Sequence, residues 1–188
     1  MPYQQTVQKV SSSIHATFAR IYPWFGQITE ALDYKPSDGG WSIAEILEHI
    51  TLTSHFLLIV AENGCAKAVK RAQTHAVDDS ESDLDRLGVI GQKGSFHWIR
   101  PAHMEPKGAK LSEVLATMKA QEARCADLLG KLTNGEGSLF NVNMSVNGIG
   151  RIDLYQWIYF IAQHASRHVT QMEENLAEWR KIAGVNTR

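Results

Sequence analysis

The stretch that decides the fold reads Trp41-Ser42-Ile43-Ala44-Glu45-Ile46-Leu47-Glu48-His49. Ser42 with Glu45 three residues later forms a capping box, in which each side chain can satisfy a backbone N–H at the start of a helix. Apolar residues then recur every three or four positions, which is typical of a helix with a buried face. Because His49 falls on that face, the pattern predicts an imidazole that points into the protein interior.

A second stretch near the C-terminus repeats this pattern. Asp153 can cap a helix that carries Gln156 at its third position, and the apolar face that follows contains His164 and His168. Residues four apart lie on one face of a helix, one turn apart, so these two imidazoles can share a metal ion. His49 from a facing helix would supply a third ligand. Three protein ligands leave a position for water or substrate, as in a reactive metal site.

The whole chain predicts an all-α protein with four long helices, near residues 4–33, 42–63, 111–133 and 153–180. The first helix contains Pro23, but its apolar stripe continues in phase beyond the proline, so we expect a kink rather than an end. Asn63-Gly64 is typical of a helix C-terminus and predicts the end of the second helix. Residues 138–148 fit either a short hairpin or an irregular loop.

The segment 64–110 is a long crossover between the second and third helices. Its length allows these two helices to run parallel, and the shorter loop before residue 152 returns the fourth helix antiparallel to them. In that arrangement His49 comes level with His164 and His168, because each helical residue rises about 1.5 Å. The crossover also contains a group of aromatic and imidazole side chains, Phe96, His97, Trp98 and His103.

Composition limits the possible classes of function. The 188 residues carry a net charge of −1 and are 44% hydrophobic, which predicts one globular domain over residues 1–188. With no basic block, nucleic acid is a poor partner. No apolar run approaches the ~20 residues of a membrane span, and no signal-peptide pattern opens the chain. Cys65 and Cys125 show no metal-type spacing, which fits free buried thiols in a reducing cytoplasm.

Taken together, these residues resemble the DinB superfamily, which includes the YfiT-type proteins. The resemblance rests on Trp41-Ser42, on His49 in the second helix, and on the His-x-x-x-His-x-x-Gln pattern of His164, His168 and Gln171. It covers nearly the whole chain. It implies an up-down-down-up four-helix bundle, a divalent metal ion on the three histidines, and a homodimer.

The resemblance also implies a class of function, because characterised relatives include thiol-dependent S-transferases and a thiol-dependent maleylpyruvate isomerase. We therefore expect a metal-dependent enzyme that activates a small thiol or water and acts on a small-molecule substrate. Its catalytic residues beyond the ligands are not identifiable from the sequence. Two alternatives remain open, a metal-dependent hydrolase and a non-catalytic metal-binding or stress-response protein. Imidazole ligands suit zinc, nickel and iron alike, so the sequence does not distinguish these metals.

Other polar residues near the motifs have simpler interpretations. Glu45 and Glu48 favour a helix cap and a surface position over catalysis, and Gln171 and Arg167 favour supporting positions over metal ligation. His55 lies nearly opposite His49 on the helix and is not an expected ligand. The histidines themselves could be ordinary polar core residues. Three buried imidazoles without a metal would, however, leave several nitrogens in need of partners, at ~1–3 kcal/mol for each one unsatisfied.

The sequence also suggests where a substrate would bind. We expect a pocket beside the histidines, walled by the 64–110 crossover and by the loop before the fourth helix. Phe96 and Trp98 would supply apolar walls there, and His97 a polar contact.

Overall fold

The computed structural model describes residues 3–77, 80–94 and 101–184, which are mostly helical. The predicted all-α class is therefore confirmed. The helices are α1 (Gln4–Ile21), α2 (Thr29–Leu32), α3 (Ile43–Ala72), α4 (Leu111–Gly130) and α5 (Leu154–Ala183). Short 3-10 turns cover Tyr22–Gly26, Asp85–Gly91, Ala102–Met104, Glu136–Leu139 and Val146–Gly148. Two strands complete the described part, β1 (Asn141–Met144) and β2 (Gly150–Asp153).

Both predicted capping boxes are present at the starts of α3 and α5. The Glu45 carboxylate accepts a hydrogen bond from the backbone N–H of Ser42 at 2.7 Å, and the Ser42 hydroxyl accepts one from the backbone N–H of Glu45 at 3.3 Å. Asp153 and Gln156 make the same reciprocal pair at 2.9 Å in both directions. These caps fix where each helix begins, and therefore which residues face the core.

The contact between α3 and α5 brings the two histidine-bearing helices together. The indole N–H of Trp157 donates to the Leu57 carbonyl at 2.8 Å, and the Asn175 side-chain amide donates to the Trp41 carbonyl at 2.7 Å. Residue numbers therefore fall along α5 as they rise along α3. Because residue numbers run in opposite directions along the two helices, the middle of α3 lies opposite the middle of α5.

The contacts between α3 and α4 follow the opposite order to those between α3 and α5. The Gln121 side-chain amide donates to the Thr51 carbonyl at 2.8 Å, and Arg124 pairs with Glu62 at 2.7 Å, so residue numbers rise together along the two helices. The long connection between α3 and α4, residues 73–110, makes this order possible, because the chain must return to the same end before α4 begins. α1 packs against both α4 and α5 on the remaining side.

A short hairpin precedes α5. β1 and β2 pair antiparallel, with Val142 opposite Ile152. Ile152 and Met144 are buried and attach the hairpin to the core. Residues 138–148 therefore hold only the first strand of a hairpin and a 3-10 turn, and the second strand lies beyond that range, at Gly150–Asp153.

The kink predicted at Pro23 is wrong, because α1 ends at Ile21 and the chain continues as a 3-10 turn. Proline lacks the N–H that an α-helix interior requires, and here it lies near the start of the turn. Leu32, which is in phase with the apolar stripe, is buried but belongs to the separate short helix α2. Ile28, which lies in phase with that stripe, is 55% exposed.

The predicted end of the second helix at Asn63-Gly64 is also wrong, since α3 continues to Ala72. Gly64 is buried within the helix, and a Cβ added there would lie 2.7 Å from the ring of Phe140. The glycine therefore allows a close approach to the segment before β1 and does not terminate the helix. A glycine that serves packing cannot be distinguished from a C-cap by sequence alone.

α3 is also the most apolar helix of the described residues. By length and composition it could cross a membrane, since its most apolar 18-residue window has a mean hydropathy of 1.5. In the fold, 61% of that window is buried against other elements. This burial is expected of a central core helix.

The packing at Gly64 gives a direct test of the α3 core. Gly64→Ala should lower the free energy of unfolding by up to ~2 kcal/mol, because overpacking costs ~1–3 kcal/mol and outweighs the ~1 kcal/mol gain in helix propensity. Gly130→Ala in α4 is the matched control, since nothing lies within 4 Å of a Cβ added there. That variant should be neutral or slightly stabilised in urea unfolding. Equal stabilisation of both variants would contradict the packing assigned to Gly64.

Candidate metal centre

His49, His164 and His168 meet in the interior between α3 and α5. Their exposed fractions are only 3%, 2% and 7%. One ring nitrogen from each histidine lies within 4.8 Å of the other two, and the Nε2 atoms of His164 and His168 are 3.2 Å apart. Among the described residues, this is the one group of three or more His, Cys, Asp or Glu side chains close enough to hold an ion. The structure thus brings together the three residues that the sequence singles out.

Hydrogen bonds orient two of the three rings. The Nδ1 atom of His49 lies 2.8 Å from the Met104 carbonyl, and Nδ1 of His168 lies 3.0 Å from the Gln171 side-chain oxygen. An oxygen acceptor at Nδ1 favours the tautomer that carries its proton there, which leaves the Nε2 lone pair available. Gln171 therefore has the supporting position that the sequence predicts.

Burial keeps His164 in its neutral form. Loss of hydration is the main cause that lowers the pKa of His164 well below its usual range, and the nearby charges of His168, His49 and Arg167 lower it further. A neutral imidazole retains the lone pair that a metal requires. Arg167 is half-buried, and loss of hydration lowers the pKa of its guanidinium as well.

The spacing and chemistry of the cluster fit a divalent metal ion. Two nitrogen ligands at about 2.0–2.1 Å from a tetrahedral ion lie ~3.3 Å apart, close to the 3.2 Å between His164 and His168. Because imidazole binds a metal in its neutral form, a set of three histidines would leave the ion its full double charge. Without an ion, two unprotonated Nε2 atoms at this distance would repel, so one ring would have to carry its proton on Nε2 and donate it to the other.

Two aromatic rings contact the histidine cluster, one next to the start of α3 and one from α5. The Trp41 ring lies 4.5 Å from the ring of His49, measured between centroids. Phe160, one turn before His164 on α5, stacks nearly parallel to it at 6.4 Å. The Trp41 ring therefore contacts the histidine eight residues later in the motif. Such apolar neighbours lower the local dielectric constant around the imidazoles.

Glu48 is the clearest departure from the expected positions. The prediction of a surface position is wrong, because the side chain is 5% exposed. Its two carboxylate oxygens accept hydrogen bonds from the backbone N–H groups of Lys107, Gly108 and Ala109 at 2.9–3.0 Å. Glu45, by contrast, is the helix cap that the sequence predicts.

The remaining described histidines lie outside the cluster, as expected. His55 and His103 are exposed, and the His103 ring contacts Phe56 at 4.0 Å between centroids. His15 and His75 are exposed and contact Glu122 and Thr74. Cys65 and Cys125 are free and buried, in agreement with the prediction. His103 directly precedes Met104, whose backbone carbonyl contacts His49.

The pocket expected beside the histidines stays a prediction. A cavity of about 340 Å³ does lie between the crossover and the hairpin, but it surrounds Asp153 and Gln156 at the start of α5. His164 is about 15 Å further along that helix, at ~1.5 Å per residue. Phe96, His97 and Trp98, the expected walls, lie outside the described residues.

Comparison with known proteins agrees with the geometry of the histidine cluster. The sequence pattern of the DinB superfamily matches residues 14–172, a range that contains all three histidines. The chain is 25% identical over 159 residues to "Uncharacterized protein YuaE" of Bacillus subtilis (strain 168), which covers 83% of this chain and 91% of that relative. No solved structure matches significantly. The resemblance read from the motifs is thus confirmed.

The lowered pKa of His164 predicts a pH dependence of stability for the metal-free protein. The unfolded chain binds a proton at this residue near pH 6.5, whereas the folded protein does so only at lower pH. The free energy of unfolding should therefore fall as the pH drops below about 6.5, by at most ~1.4 kcal/mol per pH unit for one proton. Urea unfolding at several pH values in the presence of a chelator measures this slope.

A substitution at His164 isolates its share of the slope. His164→Leu should flatten the dependence in that window, while His15→Ala, at an exposed site, should leave it unchanged. An unaltered slope in the His164 variant would show that the buried imidazole is not the responsible group.

Proposed function

The chain belongs to the DinB superfamily, and on that premise we propose that it is a metal-dependent enzyme whose ion is bound by His49, His164 and His168. The observation that carries the proposal is the convergence of three buried ring nitrogens within 4.8 Å of one another. Burying three imidazoles is costly unless their nitrogens have partners, and one shared cation satisfies all three at once.

We also infer that α1, α3, α4 and α5 form an up-down-down-up four-helix bundle. The opposite order of contacts along α3 and α5, and the parallel order along α3 and α4, support this topology. Contacts of α1 with α4 and α5 close the ring of helices. A bundle of this kind builds metal sites from facing helices, as at this cluster.

The donor set suggests the reaction class. A divalent ion held by three neutral imidazoles supplies a strong positive charge that lowers the pKa of a thiol or water bound to it. Among the described residues, no fourth His, Cys, Asp or Glu joins the three histidines. This favours transfer of a small thiol to an electrophilic substrate, with hydrolysis as a variant that uses the same site. The nucleophile would then come from a cosubstrate and not from a side chain.

The protein's own residues have supporting roles in this proposal. The Met104 carbonyl and the Gln171 side chain hold the rings of His49 and His168 in the required tautomer. The Trp41 ring shields His49 from water. Burial of His164 keeps it neutral at physiological pH. Each of these contacts prepares the ligands before the metal arrives, which reduces the cost of reorganisation.

A non-catalytic metal site is the second candidate. The observation in its favour is burial, because none of the three imidazoles is more than 7% exposed. An ion enclosed on all sides would hold α3 against α5 and would not admit a substrate. Metal content alone does not separate the two candidates, so activity has to be measured as well.

Metal content tests the ligand assignment. The wild-type protein should bind about one divalent ion per chain, and His164→Ala or His168→Ala should weaken zinc binding by more than ~100-fold, since even the partners of ligands are worth ~10–100-fold. His55→Ala is the matched control, because His55 is exposed and lies on the same helix as His49. Full metal occupancy in both α5 variants would remove the basis of the proposal.

Turnover tests the reaction class. The metal-loaded protein should transfer a small thiol to an activated electrophile, or hydrolyse an activated ester, and His49→Ala should abolish this activity. Helical content by circular dichroism should stay largely intact, because the core of α3 does not depend on one imidazole. Equal turnover by chelator-treated protein would exclude the metal from the reaction. If metal-loaded protein shows no turnover of either kind, the non-catalytic candidate replaces the enzyme.

A further inference from the structure

Glu48 lies beside His49 but does not belong to the histidine cluster. Its side chain is buried, and its two carboxylate oxygens accept three backbone hydrogen bonds from Lys107, Gly108 and Ala109. These residues end the crossover just before α4. A buried carboxylate with three N–H donors is a strong anchor, because charge-assisted hydrogen bonds exceed neutral ones in strength.

The turn has a backbone shape suited to an anion. Gly108 has φ +80°, in the left-handed region, and this conformation directs successive N–H groups toward one concave point. The N–H of Lys107 reaches one carboxylate oxygen, while those of Gly108 and Ala109 reach the other. The turn and Glu48 therefore match as donor and acceptor.

The same segment also contacts the cluster. Met104, three residues before Lys107, places its carbonyl 2.8 Å from Nδ1 of His49. Two adjacent residues of α3, His49 and Glu48, thus bind the two ends of the segment Met104–Ala109, which we call the strap. Pro106 lies within the strap and restricts its backbone. The position of the Met104 carbonyl is therefore constrained by the hydrogen bonds to Glu48.

We propose that Glu48 is a positioning residue for His49. By anchoring the turn at Lys107–Ala109, its carboxylate holds the Met104 carbonyl against Nδ1 of His49 and fixes the tautomer that presents Nε2 to the cluster. The consequence for metal affinity rests on the function proposed above, whereas the consequence for the tautomer does not. Glu48 acts through the strap and is not one of the three clustered residues.

Glu48→Gln is the informative substitution, because it keeps the size of the side chain and replaces one acceptor oxygen with an N–H₂ donor. At least one backbone N–H of the turn then faces a donor, and the strap loosens. Glu45→Gln is the matched control. At the start of α3, Glu45 accepts one hydrogen bond from the Ser42 backbone N–H and one from the Lys35 side chain, and both donors lie outside the strap.

The first measurement is the tautomer of His49 in metal-free protein. Side-chain ¹⁵N NMR at about pH 8.5, some two units above the ordinary histidine pKa, distinguishes a proton on Nδ1 from one on Nε2. The wild type and Glu45→Gln should carry it on Nδ1, and Glu48→Gln should show a mixture. An unchanged Nδ1–H tautomer in Glu48→Gln, with faster hydrogen exchange at Gly108 and Ala109, would overturn the proposal.

The second measurement is zinc affinity. Glu48→Gln should weaken it by about 10-fold or more, as expected for the loss of a partner that orients a ligand, whereas Glu45→Gln should change it by less than about threefold. Equal affinities in all three proteins would count against the positioning role. If the wild type binds no zinc, the function proposed above fails, and the tautomer result alone decides the role of Glu48.

A second variant covers the case in which Glu48→Gln does not fold. Gly108→Ala leaves the buried carboxylate in place and strains only the turn, since a Cβ there meets no atom within 4 Å but the φ of +80° disfavours it. It should shift the tautomer of His49 in the same direction by a smaller amount. A folded Gly108→Ala protein with the wild-type tautomer would contradict the proposal.

Discussion

The register between α3 and α5 is the constraint on which the rest of the structure depends. The hydrogen bonds from Trp157 to Leu57 and from Asn175 to Trp41 lie on either side of the histidine cluster along the two helices. They fix the helices against sliding. A shift of one helical turn would move one partner by about 5.4 Å, which is larger than the 4.8 Å that encloses the three ring nitrogens. The cluster therefore exists only in this register.

That register places polar groups where a core would otherwise be apolar. The surroundings of the histidines include the fully buried ring of Phe160 and the ring of Trp41. An imidazole in such an environment is held neutral, as the lowered pKa of His164 shows, and its nitrogens must find partners within the protein or on an ion. The backbone carbonyl at Met104 and the amide at Gln171 each use one nitrogen of a ring and leave the other directed inward. Burial makes it costly to leave the ring nitrogens without partners, and for the same reason it favours the binding of a cation.

Local signals in the sequence predicted the parts of the fold that depend on neighbouring residues. The two capping boxes set the starts of α3 and α5, and the four-residue spacing put His164 and His168 on one face. The errors at Pro23 and Gly64 arose because the role of each residue depends on distant contacts, such as that between Gly64 and Phe140. The partners of His49 and Glu48 lie 55 to 61 residues away and are backbone atoms. Backbone atoms carry no side-chain signature, so the sequence could not reveal them.

X-ray absorption spectroscopy of the zinc-loaded protein tests the central claim most directly, because it reports the atoms bound to the ion. The account predicts one zinc per chain, with the outer-shell scattering of three imidazoles and first-shell nitrogens at about 2.0–2.1 Å. His49→Ala should reduce the imidazole count by one. Zinc with fewer than three imidazoles in the wild type, or with sulfur in its first shell, would contradict the assignment of His49, His164 and His168 as the metal site.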